Sequence, residues 1–261
     1  MTVIVRPEIG VLTSVISFIV AHCLGKVLNS FLIASKLSNQ EPEFVWKFVN
    51  ISVSLTHALI VGLWDLSCFI LYPDLTRDPA FHITPYTYYL VCVSTGYFIY
   101  DALDVCWNHR FFKEIEVMLH HFAVVSAFAH NVLTTKCIGY SVIALLVEVN
   151  TIFLHLRKLM QLNKVPFTSV VYKIVCAANL ITFAIFRGTS LGWITWGMYF
   201  EPEKITTMYF YILCMSMFIM NIINPIFFWM LLRRDFLRPF TAKHQSPSLE
   251  KLQSSRLSLM D

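Results

Sequence analysis

The residues of this chain that could do chemistry sit where chemistry is costly. Asp65, Asp101, Asp104, Glu148 and Arg187 fall inside long apolar stretches, together with His57, His120, His121 and His130. Ionisable groups in a bilayer interior usually face the middle of a bundle or a cavity. Adjacent His120 and His121 point about 100° apart on a helix, so one can meet a substrate while a carboxylate holds the other. Imidazole suits general acid–base work near neutral pH and can also accept an acyl group. Side-by-side histidines are poor co-ligands for one ion, and no third ligand stands at a recognised spacing, so no metal is expected.

The elements that must carry these residues are membrane spans. The chain is 57% hydrophobic and 14% charged, where a soluble domain runs nearer about 45–50% apolar and about 25% charged. An excess of that size cannot be hidden in one soluble core, which excludes a soluble enzyme, a disordered chain and a nucleic-acid module. Seven stretches reach the roughly 20 apolar residues a spanning helix needs. They run at about Ile9–Ile33, Phe48–Leu71, Pro85–Trp107, Ile115–Leu133, Ile138–Leu156, Val170–Met198 and Ile205–Leu232. Charges and helix stops such as Glu41-Pro42-Glu43 and Glu201-Pro202-Glu203 fill the short connections. From about Arg233 a Ser-, Lys- and Arg-bearing stretch reads as a flexible tail. The fold class is therefore all-α, a polytopic bundle.

With the N terminus outside, fifteen Lys and Arg residues fall on the cytosolic side and four (Arg6, Arg77, Lys136, Lys204) on the other. That bias predicts an N-out, C-in orientation. Cleavage of the first span as a signal peptide would invert every later loop and turn most of those charges outward. The seven cysteines, about one per span, show no ligand spacing and read as small buried hydrophobes. The sequon Asn50-Ile-Ser52 lies at the mouth of a span, a poor place for glycosylation.

Helix rise then sorts the polar residues by depth. From the cytosolic ends of their spans, Asp101 and His120–His121 lie roughly 8–10 Å in, His57 and Glu148 roughly 13–15 Å, and Asp65 and Arg187 about 25 Å. The inner group is expected to line one cavity open to the cytosolic leaflet. In it His120, His121 and Glu148 are the candidate catalytic residues, and His57, Asp101 and Asn150 line the polar walls. Glu148, on the helix next to that of the His pair, is expected to reach it directly or through one water. Asp65 and Arg187 are expected to form a structural ion pair toward the outer face.

The segments Leu119-His120-His121-Phe122, Gly139 and Leu145-Leu146-Val147-Glu148-Val149-Asn150-Thr151-Ile152-Phe153-Leu154 resemble the TLC (TRAM–LAG–CLN8) domain. Ser94–Asp101 and Ser54-Leu55-Thr56-His57 fit the same family. The resemblance implies a first helix and loop over residues 1–45, a six-helix TLC domain over 46–232 and a cytosolic tail over 233–261. Within the family it is similar to the TLC domain-containing 1 and 2 subgroup. The family's ceramide synthases follow the His pair with a His-Asp-x-x-Asp cluster on the next helix. Here those positions hold Val147, Glu148 and Thr151, which points away from N-acylation of sphingoid bases.

The resemblance implies a plasma-membrane protein that limits incorporation of fluidising polyunsaturated chains into phospholipids, by binding lipid or indirectly, with the endoplasmic reticulum as the alternative location. The competing reading is an acyltransferase that uses acyl-CoA as substrate, with lysophospholipid as acceptor. Membrane lipids are the expected partners, nucleic acid is not, and no cofactor is expected. A transporter is a weaker reading, since no Gly/Pro-broken helix pair recurs in matching halves.

Overall fold

The computed structural model describes residues 5–34 and 41–237, and its helices supply seven spans. In chain order they are α1 (Pro7–Ala34), α2 (Pro42–Leu71), the short α3 (Asp74–Arg77), α4 (Pro85–Trp107), α5 (Ile115–Thr134), α6 (Ile138–Leu145), α7 (Val147–Leu162), α8 (Val170–Thr182), α9 (Gly188–Phe200) and α10 (Thr207–Leu232). Among the described residues there is no strand. Each of the seven expected spans corresponds to one long apolar unit, α6 with α7 forming the fifth and α8 with α9 the sixth.

Local sequence explains the ends. Thr84 caps α4 reciprocally: its Oγ1 accepts from Thr87 N at 3.2 Å while Thr84 N donates to Thr87 Oγ1 at 3.0 Å. Pro85 follows at the first helical position, where no N–H is needed. Between α5 and α6, Thr135 and Cys137 both adopt positive φ, which lets a very short turn reverse the chain. Buried Asn131 braces that turn by donating to Cys137 O at 3.1 Å and Ser141 Oγ at 2.9 Å.

Small residues set the packing, as expected where lipid removes the hydrophobic drive between helices. On α1, Ser14 Oγ donates to Cys92 O of α4 at 2.8 Å and Ser17 Oγ to Val93 O at 2.7 Å. A Cβ on Gly96 would stand 2.0 Å from Ser14 O, so only glycine admits this approach. Gly62 lies where α2 meets α7; a Cβ there would sit 3.4 Å from the Glu148 and Val149 backbone, in ordinary van der Waals contact. Helices α5 and α10 run antiparallel as a zipper. His120 Nδ1 meets Met220 Sδ at 3.3 Å, Ser216 Oγ donates to Ala123 O at 3.1 Å, and His130 stacks on Tyr209 with centroids 5.1 Å apart.

Three features depart from the sequence reading. The fifth span breaks at Leu146, two residues before Glu148. The sixth carries a π-helical turn, Phe183–Arg187, between α8 and α9. The tail does not begin at Arg233: Arg233–Leu237 continue α10 as a π-helical turn, and Arg157 Nη2 of α7 pairs with Asp235 in a buried contact. The rest of the expected tail, 238–261, and the loop residues 35–40 with Lys36 lie outside the described residues.

Candidate functional site

The polar residues of α2, α4, α5 and α7 meet in the bundle interior in two carboxylate–imidazole contacts. His121 Nε2 of α5 lies 2.9 Å from Asp101 Oδ2 of α4, with both side chains buried. The contact is short but out of line for a hydrogen bond, and neither ring nitrogen of His121 has an aligned partner among the described residues. The other Asp101 oxygen accepts from Asn50 Nδ2 at 2.7 Å. Asn50 also donates to Asp104 Oδ2 at 3.2 Å, and Trp46 Nε1 donates to the same oxygen at 2.9 Å. The sequon asparagine is thus spent inside the bundle, tying α2 to α4.

The second contact sets His57 Nδ1 of α2 at 3.7 Å from Glu148 Oε2 of α7. His57 lies flat on the ring of Tyr97, centroids 3.7 Å apart and planes 14° off parallel. Phe98 stands between the two contacts, its centroid 5.4 Å from His57 and 5.7 Å from His121. An aromatic wall therefore divides what the depth count took for one polar cavity.

Several expected arrangements are corrected by this geometry. Glu148 faces His57 rather than closing on the His pair, because α7 packs its Glu148 turn on α2 at Gly62. Asp65 and Arg187 form no ion pair. Asp65 is fully buried and neither of its carboxyl oxygens has a partner among the described residues. Arg187 Nε instead donates to Asn150 Oδ1 of α7 at 2.8 Å, and Nη1 to Asn224 Oδ1 of α10 at 2.9 Å. Asn150 in turn donates to Asn179 O at 2.9 Å and to Asn179 Oδ1 at 3.0 Å. The depth count failed for a simple reason. The second and sixth spans have 30 and 31 residues where roughly 20 suffice, so counting from a helix end does not fix the relative depth of Asp65 and Arg187.

Arg187 and His120 share instead a narrow apolar cleft between α5, α9 and α10. Its walls include Phe128, Leu191, Ile194, Leu213 and Met217. Its few polar residues are His120, Arg187, Ser190, Ser216, Asn224 and the ring-bearing Tyr140 and Tyr209. His121, Asp101, His57, Glu148 and Asn150 do not line it. The π-helical turn shifts the register of the sixth span at Arg187, the kind of local insertion that marks functional sites.

Sequence reasoning passed over Asn50, Tyr97, His155, Asn179 and Asn224. His155 had a signal: it stands seven residues after Glu148, on the same helix face. Its Nδ1 is buried without a partner among the described residues. The asparagines carry no charge and gave no such signal.

Known proteins place this architecture. The TLC domain model matches residues 45–233. The chain is 35% identical to TLC domain-containing protein 2 of Danio rerio over 206 residues, covering 79% of this chain and 83% of that protein. It is 31% identical to TLC domain-containing protein 1 of Gallus gallus over 195 residues, 75% of this chain and 76% of that protein. With TLC domain-containing protein 2 of Homo sapiens it shares 35% identity over 160 residues, 61% of this chain and 60% of that protein. No solved structure matches. A seven-span helical bundle whose interior polar residues lie inside the matched region is a multi-pass membrane protein belonging to the TLC domain family.

Proposed function

We propose that this protein is a non-catalytic, lipid-binding regulator of phospholipid acyl composition and fluidity. It acts in the plasma membrane with its N terminus outside, and limits incorporation of polyunsaturated chains. The observation that carries the reading is the cleft among α5, α6, α9 and α10, mostly apolar along its walls, with His120, Arg187 and Asn224 toward one end and Tyr209 at the other. Its lining on α10 runs from Asn224 to Tyr209, about 22 Å at the helical rise, longer than one leaflet of a hydrocarbon core about 30 Å thick. The two carboxylate–imidazole contacts lie outside that cleft, so the ligand meets a binding wall more than a reaction centre. The test is lipidomics of cells lacking the protein, rescued by wild type or by His120→Ala/His121→Ala. Equal rescue supports the regulator. Lost rescue, by a variant that still reaches the membrane and still binds lipid, overturns it.

One observation favours a second reading. His121 is set against Asp101, and His120 lies beside it, with ring centroids 5.6 Å apart. In an acyltransferase that arrangement would take the proton from a lysophospholipid hydroxyl as the acyl group leaves acyl-CoA, with the thiol released. Purified protein supplied with oleoyl-CoA and lysophosphatidylcholine should release no free thiol if the regulator reading holds.

A further inference from the structure

Arg187 is the one cation that lines the cleft, and the protein supplies it with dipoles rather than a touching counter-charge. Its side chain is 8% exposed. Nε and Nη1 are spent on Asn150 and Asn224, and Nη2 has no hydrogen-bond acceptor among the described residues. No carboxylate stands within 4.0 Å of the guanidinium among those residues. Glu148 acts on it only through space, with its own Oε2 turned to His57. Phe183, in the same π-helical turn, covers one face of the guanidinium at 5.0 Å.

Two amide oxygens fix the plane of this group without cancelling its charge. An isolated cation at this depth is expensive, and such residues mark ligand sites. A guanidinium recognises carboxylate and phosphate oxygens through its remaining donors. The charge sits toward one end of a cleft lined mostly by apolar side chains, with Ser190, Ser216, Tyr140 and Tyr209 among its neutral polar residues, so the complementary ligand has an anionic head and one apolar chain. Head size and charge then discriminate. The cleft offers one arginine among its described lining residues, which a carboxylate matches with a single negative charge. A phosphate monoester carries nearly two charges and a larger head.

We propose that Arg187 is the head-binding residue of a free fatty acid site, its Nη2 donating to the carboxylate while the acyl chain lies along α10 between α5 and α9. This rests on the lipid-binding reading above and names the lipid. A sensor of free fatty acid would let a regulator of acyl composition respond to the supply of chains.

The experiment uses the full chain in phosphatidylcholine nanodiscs and measures displacement of radiolabelled oleate by unlabelled oleate, methyl oleate and oleoyl lysophosphatidate. Oleate should compete at least tenfold better than either of the others. Arg187→Gln should lower oleate affinity at least tenfold. Asn224→Asp is the variant that spares the fold, because it places a carboxylate on a residue that already bonds the guanidinium. It should abolish oleate binding while holding or raising the melting temperature. Equal competition by methyl oleate, or unchanged binding in Asn224→Asp, overturns the anion site but leaves lipid binding standing. Stronger competition by lysophosphatidate overturns the carboxylate assignment. If none of the three lipids binds in a saturable way, the lipid-binding reading itself fails.

Discussion

The two sides of the bundle treat buried polarity in opposite ways. Between α2, α4, α5 and α7, acids and imidazoles are set against one another, with Asn50 and Trp46 completing the network. Between α5, α9 and α10, Arg187 and His120 line a mostly apolar cleft, and Arg187 is held by two neutral amides with the Phe183 ring over one face. Both sides use residues from the same short list of intramembrane polar positions. The difference teaches that a buried charge can be held by an opposite charge in contact or by neutral dipoles beside an apolar cleft. What separates the two cases is whether a second charge of opposite sign reaches contact.

The largest effect should come from breaking the closed side. Asp101→Ala removes the acid that faces His121 and accepts from Asn50, stranding both. Losing one partner of a buried charged contact costs about 3–5 kcal/mol, so thermal unfolding in detergent should show a large drop in melting temperature. If Asp101→Ala melts with the wild type, the closed side is not a stabilising network.

A smaller but still marked effect is expected at the α1–α4 seam. Gly96→Val must push Ser14 away and break the two serine bonds to α4, a loss of about 1–3 kcal/mol. Proteolysis near the α1–α2 connection should accelerate relative to wild type. Asp65→Asn sharpens the contrast from the other direction. A fully buried carboxyl without a partner stabilises nothing, so the amide should leave stability unchanged or raise it by about 1 kcal/mol. A drop of several degrees would mean that Asp65 has a partner the present arrangement does not reveal.

The smallest effect concerns His82, which lies between the second and third spans and whose burial holds its imidazole below the ordinary histidine range. A lowered folded-state value means that stability is complete above the unfolded value and declines as the pH falls through it. The melting temperature should therefore fall slightly between pH 7.5 and pH 5, and His82→Gln should remove that part of the slope.

Much of this could be read beforehand, and the failures have physical causes. Seven spans followed from apolar length alone, and adjacent His120 and His121 did diverge by a helical step, one to Asp101 and one to the cleft. Partner choice was less legible. Arg187 and Asp65 stand at equal depth by counting, but helix ends are not membrane boundaries, and both their spans are longer than the roughly 20 residues that crossing needs. Glu148 is expected beside its sequence neighbour α5, yet α7 packs the Glu148 turn on α2 at Gly62, and the carboxylate faces His57. The break at Leu146 and the π-helical turn Phe183–Arg187 could not be read from hydropathy, which reports how apolar a stretch is and not which backbone hydrogen bonds it makes.

The serine–glycine seam also has a meaning in time. The main neighbour of α1 is α4, and roughly seventy residues separate the end of one from the end of the other. At about 5–20 residues per second of synthesis, α1 waits for several seconds before its partner emerges. During that interval Ser14 and Ser17 point at no α4 carbonyl. Each can turn back on the preceding turn of its own helix, as Ser14 Oγ already does toward Gly10 O at 3.1 Å. The newborn first helix is thus self-sufficient in lipid, able to drift until α4 arrives and then exchange an internal bond for a shared one.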